Sequence, residues 1–231
     1  MKKILVLGLI VIVLSILVGC QSDASDTSID ATADTSVTDV TEPQASYTVE
    51  MVEFSDGKIV IEYPQLKGQG EVYTSINSSI YSEVENWFKD EAADDVSVDV
   101  KYSVTLSNET YFCVLFEGGY YALNAAYPTR VVKAICFSMA DGNVIDPTSV
   151  TEIDEDFVEK FKIELDNSSD TERFTDEQWA SVVSYFNAFS NEELTEKIIN
   201  GEAALTENGI LVCVEVPHAI GDYIKVSVNN K

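Results

Sequence analysis

The chain is 231 residues long, one domain of ordinary size with length to spare, and its 45% apolar content is enough to build a core. Forty Asp and Glu stand against 14 Lys and Arg, a formal net charge of −26 that repels phosphate backbones and argues against a nucleic-acid partner. Such a surface attracts cationic partners instead.

Residues 1–20 set an address. Lys2 and Lys3 precede an apolar stretch over residues 4–18, then Gly19 and Cys20. That layout reads as a signal peptide of residues 1–19, because its apolar run is shorter than the about 20 residues a spanning helix needs. Leu17-Val18-Gly19-Cys20 resembles the lipobox of bacterial lipoproteins, in which the cysteine thiol takes a diacylglyceryl group after cleavage before it. The expected localisation is the outer face of the bacterial cell membrane, held there by lipid on Cys20.

Residues 20–47 read as a tether. From Gln21 to Tyr47 there are six acids, no base and ten Ser or Thr, a composition that stays extended and self-repelling. A coil of this length reaches roughly 25–30 Å. The ectodomain is expected over residues 48–231.

Residues 49–54 and 58–63 alternate in strand fashion about Ser55-Asp56-Gly57, a hairpin signal. Pro64 ends the second strand. Val72, Ile76, Ile80, Val84 and Trp87 then form one apolar stripe of a helix over about residues 69–90. Three strands follow, at 97–106, 111–123 and 130–139. Helices are expected at 154–165 and 176–189, with a further turn or two at 192–199, and two strands close the chain at 209–216 and 223–228. The pattern predicts an α+β fold: a largely antiparallel sheet, one long helix early, and two to three helices before the last strand pair.

Candidate chemistry is thin. A nucleophilic Ser or Cys needs a base, and His218 is the one histidine. Cys213 lies five residues from it, an odd offset that would point the two to opposite faces of a strand. Zinc would need three or four close His or Cys ligands, which are lacking. Acidic pairs such as Asp94-Asp95 and Glu192-Glu193 could flank a sugar, but among 40 acids most such pairs are solvated faces or helix starts. The expectation is a non-enzyme without cofactor or metal. Asp166, Ser168, Asp170, Glu172 and Glu177 do place oxygens in an EF-hand-like frame. Thr171 stands where that loop needs glycine and Arg173 where it is aliphatic, so an acidic inter-helix loop is the favoured account.

With Cys20 lipidated, Cys113, Cys136 and Cys213 remain. All three read as small buried hydrophobes. A hairpin turning near 124–128 would also set 113 opposite 136, so a cross-strand disulfide is the alternative. Residues 118–128 then offer Tyr120, Tyr121, Asn124, Tyr127 and Pro128 as a ligand-binding candidate, since tyrosines beside an irregular loop give contact area with a polar tip. The alternative is a strand whose tyrosines pack on the core.

Three stretches carry a resemblance. They are Glu62-Tyr63-Pro64-Gln65-Leu66 with Ile76-Asn77; Val114-Leu115-Phe116-Glu117-Gly118 through Tyr127-Pro128 to Asp141-Gly142; and Leu205 to Ile210 leading into Val216-Pro217-His218-Ala219-Ile220-Gly221. In order and spacing they resemble the extracellular domain family of the lysozyme-sensing anti-sigma factor. That domain of unknown function also stands beside peptidoglycan deacetylase catalytic domains. The chain departs from the family where Asn124-Ala125-Ala126-Tyr127-Pro128 replaces a Gly-Gly-Ala-His-Pro loop and His218 replaces a tyrosine. The resemblance implies an α+β ectodomain and a non-catalytic binding module for a cationic wall-active protein such as lysozyme. A cell-wall polysaccharide (peptidoglycan) binding or accessory module is the alternative.

Overall fold

In β4 (Tyr111–Ala122) a run of five consecutive residues, Phe112 to Phe116, is buried. A half-buried strand alternates, so this one must be covered on both faces. The computed structural model describes residues 47–87, 96–123, 125–168, 170 and 173–230. The signal peptide, Cys20, the tether up to residue 46, Asp94-Asp95 and Asn124 lie outside the described residues.

The first sheet has six strands in sequential order: β1 (Thr48–Asp56), β2 (Ile59–Lys67), β3 (Val96–Ser107), β4, β5 (Thr129–Ser138) and β6 (Val144–Ile145). Every neighbouring pair is antiparallel except β2 and β3, which run parallel because α1 (Glu71–Asn86) carries the chain across between them. The parallel pairing is confined to Ile59–Ile61 against Val98–Val100, so Pro64, with no N–H to donate, falls where β2 has left β3.

α1 buries Tyr73, Ile76, Ile80 and Val84, spaced three and four apart, on Ile61, Val98, Phe112, Val114 and Phe116. Asn77 locks it in place. Its Oδ1 accepts from Leu66 N at 2.8 Å and its Nδ2 donates to Leu66 O at 2.9 Å, completing the backbone pairing that β2 lacks there. The Tyr63-to-Asn77 motif is therefore structural. Tyr47, at the end of the stretch read as tether, packs its ring on Tyr73 and Phe112 and joins its hydroxyl to Ser107 Oγ at 2.8 Å.

The closing sheet is separate and has three strands rather than two: β7 (Glu202–Thr206), β8 (Gly209–Glu215) and β9 (Tyr223–Asn229). Glu202-Ala203-Ala204-Leu205-Thr206 carries helix-favouring composition, which tertiary context overrides. Ala203 packs toward the helices and Ala204 toward the first sheet, and their small size lets the layers approach. Ile210, Val212 and Val214 face α3 (Glu155–Asp166), α4 (Asp176–Asn187) and α5 (Asn191–Ile199), while Leu211 and Cys213 face the first sheet. The layers thus run α1, six strands, three strands, α3–α5. The fold is α+β with helices before the closing strands, as the pattern predicts, but with two stacked sheets in place of one.

The three helices start where the sequence supplies caps. Asp154 accepts from Phe157 N at 2.8 Å, and Thr175 with Gln178 and Ser190 with Glu193 form reciprocal capping boxes. A four-residue helix, α2 (Pro147–Val150), follows β6 behind the Asp146 cap. Among the described residues no helix is long and apolar enough to cross a membrane.

Cys113 and Cys136 stand directly opposite in the β4–β5 register and form a disulfide, with their Cα atoms 4.1 Å apart. The expected pair of free thiols is therefore a cross-strand bridge. Among the described residues Cys213 is the free cysteine, and it is buried.

Candidate functional site

The β4–β5 hairpin builds the candidate site. β4 outruns β5: its pairing with β5 ends at Tyr120↔Thr129, while Tyr121 and Ala122 pair with β3 alone. The tip therefore projects as a strand end with one neighbour. Tyr121 is 50% exposed, Leu123 67% and Tyr127 75%, three large apolar side chains on one short connection, with Pro128 exposed beside them. Tyr120 points the other way and packs against the α1 core. The structure thus gathers Tyr121, Tyr127 and Pro128, and turns Tyr120 inward.

The base of this hairpin rests on the closing sheet through a charge network that sequence reading did not foresee, although Asp170 and Arg173 stand in the EF-hand-like frame. Glu117, on the β4 face toward β9, accepts from Tyr223 Oη at 2.9 Å and pairs with Lys225 Nζ at 2.8 Å. Asp170, 4% exposed, holds Arg173 Nε at 2.8 Å and accepts from Lys225 N at 3.0 Å. Arg173 donates to Tyr223 O at 2.8 Å and stacks its guanidinium 4.5 Å from the Tyr223 ring centroid. Two acids and two bases close a neutral network across the sheet junction. Burial pushes the Asp170 carboxyl above its ordinary range, against the pull of Arg173. Burial also raises the Tyr223 phenol, with the Glu117 charge adding to it.

The same side chains finish the edge of β9. Ser168 Oγ donates to Lys225 O at 2.7 Å, so Ser168, Asp170 and Arg173 satisfy backbone groups a bare edge would leave open. Ser168 and Asp170, oxygens of the EF-hand-like frame, are spent on β9; Glu172 lies outside the described residues. Among the described residues no group of three or more His, Cys, Asp or Glu is arranged to hold a metal ion.

Cys213 and His218 do not form a catalytic pair. Burial raises the Cys213 thiol far above its usual range, and so disfavours the thiolate. His218 lies in a surface 3-10 turn, its Nδ1 2.7 Å from Asp222 Oδ1. Asp222 follows Gly221, where φ is +117° and an added Cβ would lie 2.5 Å from the Phe174 ring. The other Asp222 oxygen accepts from Arg130 N at 2.9 Å, tying the β8–β9 turn to the foot of the tyrosine hairpin.

A cleft of about 430 Å³ lies at that foot, between the hairpin and Tyr223. A larger one, about 960 Å³, opens at the far end of β4 among Asn108, Thr110, Tyr111, Thr151, Asn208 and Asn230.

No family model and no curated protein matches the chain. Among solved structures it is similar to a DUF3298 family protein from Pseudomonas aeruginosa PAO1 (TM-score 0.42, 10% identity, 79% of this chain and 88% of that one). It is also similar to a DUF3298 family member from Bacteroides fragilis NCTC 9343 (TM-score 0.45, 10% identity, 79% and 89%). The chain is thus structurally similar to bacterial DUF3298 family proteins at low sequence identity.

Proposed function

We propose that this chain is a non-catalytic lipoprotein, anchored through Cys20 to the outer face of a bacterial membrane, whose ectodomain captures a cationic wall-active protein such as lysozyme. One observation supports this most: Tyr121, Leu123 and Tyr127 stand exposed at a single hairpin tip on a chain of net charge −26. The charge would steer a basic protein in, and the aromatic tip would make the desolvated contacts that give specificity. The likeness to the lysozyme-sensor ectodomain read from the sequence motifs points the same way.

Calorimetric titration of the chain from Gln21 onward with lysozyme, beside an unrelated basic protein of similar charge, tests it. Binding to lysozyme that survives about 0.3 M salt, where exposed charges are largely screened, with none to the control, is expected. Equal binding to both, erased by salt, would refute specific capture. The second reading, a wall-polysaccharide module, is favoured by the amides and hydroxyls of the larger cleft. It predicts salt-insensitive binding of peptidoglycan fragments.

A further inference from the structure

The 231 residues contain two arginines, Arg130 and Arg173, and both line the cleft at the foot of the tyrosine hairpin. Cross-strand rows explain its shape. Asp99 pairs with Gly119 and Gly119 with Arg130, so on one face of the sheet a residue without a side chain separates an acid from a base. The next row is Lys101, Glu117 and Val132.

Most charges here are already engaged. Glu117 holds Lys225 and the Tyr223 hydroxyl, Arg173 holds Asp170, and Lys101 lies 3.6 Å from Glu62. Asp222 spends its oxygens on the backbone N–H of Arg130 and on His218. Among the described residues, the Asp99 carboxylate and the Arg130 guanidinium are left without a partner, and both residues are exposed. They face each other across the glycine gap with Tyr121, Pro128 and Tyr223 around them.

We propose that this cleft binds a short unblocked peptide, its ammonium on Asp99 and its carboxylate on Arg130, with its side chains against Tyr121 and Pro128. The dimensions agree. Two strand spacings separate the charged residues by about 10 Å, which an extended tripeptide spans. The volume of about 430 Å³ falls in the range of small-ligand sites. Arginine supplies the planar fork that grips a carboxylate through two hydrogen bonds. An acid and a base each lacking a partner select a zwitterion over either ion alone, which suits a site within a strongly acidic surface. The site shares Tyr121 with the capture tip but does not include Tyr127, so the two can be tested apart.

Calorimetry of the chain from Gln21 onward with tri-alanine, N-acetyl-tri-alanine and tri-alanine amide is the test. Tri-alanine should bind, and each blocked form should bind at least about tenfold more weakly. Arg130→Gln should lose the discrimination against the amide, and Asp99→Asn the discrimination against the acetylated form. Both residues are exposed and their side-chain charges unpaired, so both variants should melt with the parent. Tyr127→Ala should leave tri-alanine binding unchanged while weakening capture of the basic protein, so the two proposals fail separately. Absence of tri-alanine binding up to about 10 mM, or blocked peptides binding as well as the free one, would overturn the peptide site.

Discussion

At the Tyr111 end of β4, Cys113 bridges to Cys136 and packs with Leu106, Ala204 and Leu205, a dry contact of small apolar groups. Four residues along the same face, Glu117 meets the same closing sheet through Tyr223 and Lys225, with Arg173 beside them from the α3–α4 connection. One strand thus joins the two sheets in two ways. The dry end is held by close packing, while the disulfide braces β4 against β5 within the first sheet. The charged end is held by a neutral network, and the peptide cleft and the tyrosine hairpin lie beside it. Apolar closure there would have filled the cleft.

Breaking the charged end should cost most. Arg173→Ala leaves Asp170 buried without its cation, and a loss of about 3–5 kcal/mol in urea unfolding is expected. Burial already raises the Asp170 carboxyl, so the folded variant takes up a proton more readily than the unfolded chain. Its deficit should therefore shrink as pH falls through the raised value and grow again as pH rises.

The dry end is next. Removing the bridge in Cys113→Ala/Cys136→Ala frees a loop with a sequence separation of 23 residues, and should lower stability by about 3 kcal/mol. Tyr121 and Tyr127 should keep their binding role in that variant, whereas Arg173→Ala should disturb it. Reversal of that order would mean that the network does not position the hairpin.

Asn77→Ala, on the opposite face, should cost about 2 kcal/mol by leaving Leu66 N and O unpaired, with both junctions intact. The smallest effect is at Glu193, whose carboxyl is held below its ordinary range by the Ser190 backbone N–H and hydroxyl. A lowered value adds stability above the carboxylate range and loses it as pH falls. Glu193→Gln should therefore reduce Tm slightly at pH 7 and approach the parent as pH falls through that lowered value.

The α1 stripe, the hairpin at Gly57 and the helices at 154–165 and 176–189 were legible in the sequence as local patterns, and α5 (Asn191–Ile199) as a further turn or two. β7 was not: Ala203 and Ala204 lack strand propensity, and their value is that they let two layers close. The disulfide was legible only as an alternative: the hairpin turn sets residue 113 opposite 136, but the apolar surroundings of each cysteine favoured free buried thiols. The charge network was hidden because Glu117, the Asp170–Arg173 pair and Lys225 are far apart in sequence and meet only when β9 stacks on β4. Of the candidate site, the tyrosines were visible as a cluster. That Tyr120 faces inward while Tyr121 faces out follows from strand alternation once β4 is known to reach Ala122.

The most direct test of the account is the affinity of Tyr121→Ala/Tyr127→Ala for lysozyme beside that of the parent, at about 0.3 M salt where steering is screened. The parent should bind and the variant should weaken at least about tenfold with an unchanged Tm. Equal affinity of the two would place capture elsewhere and contradict the central claim.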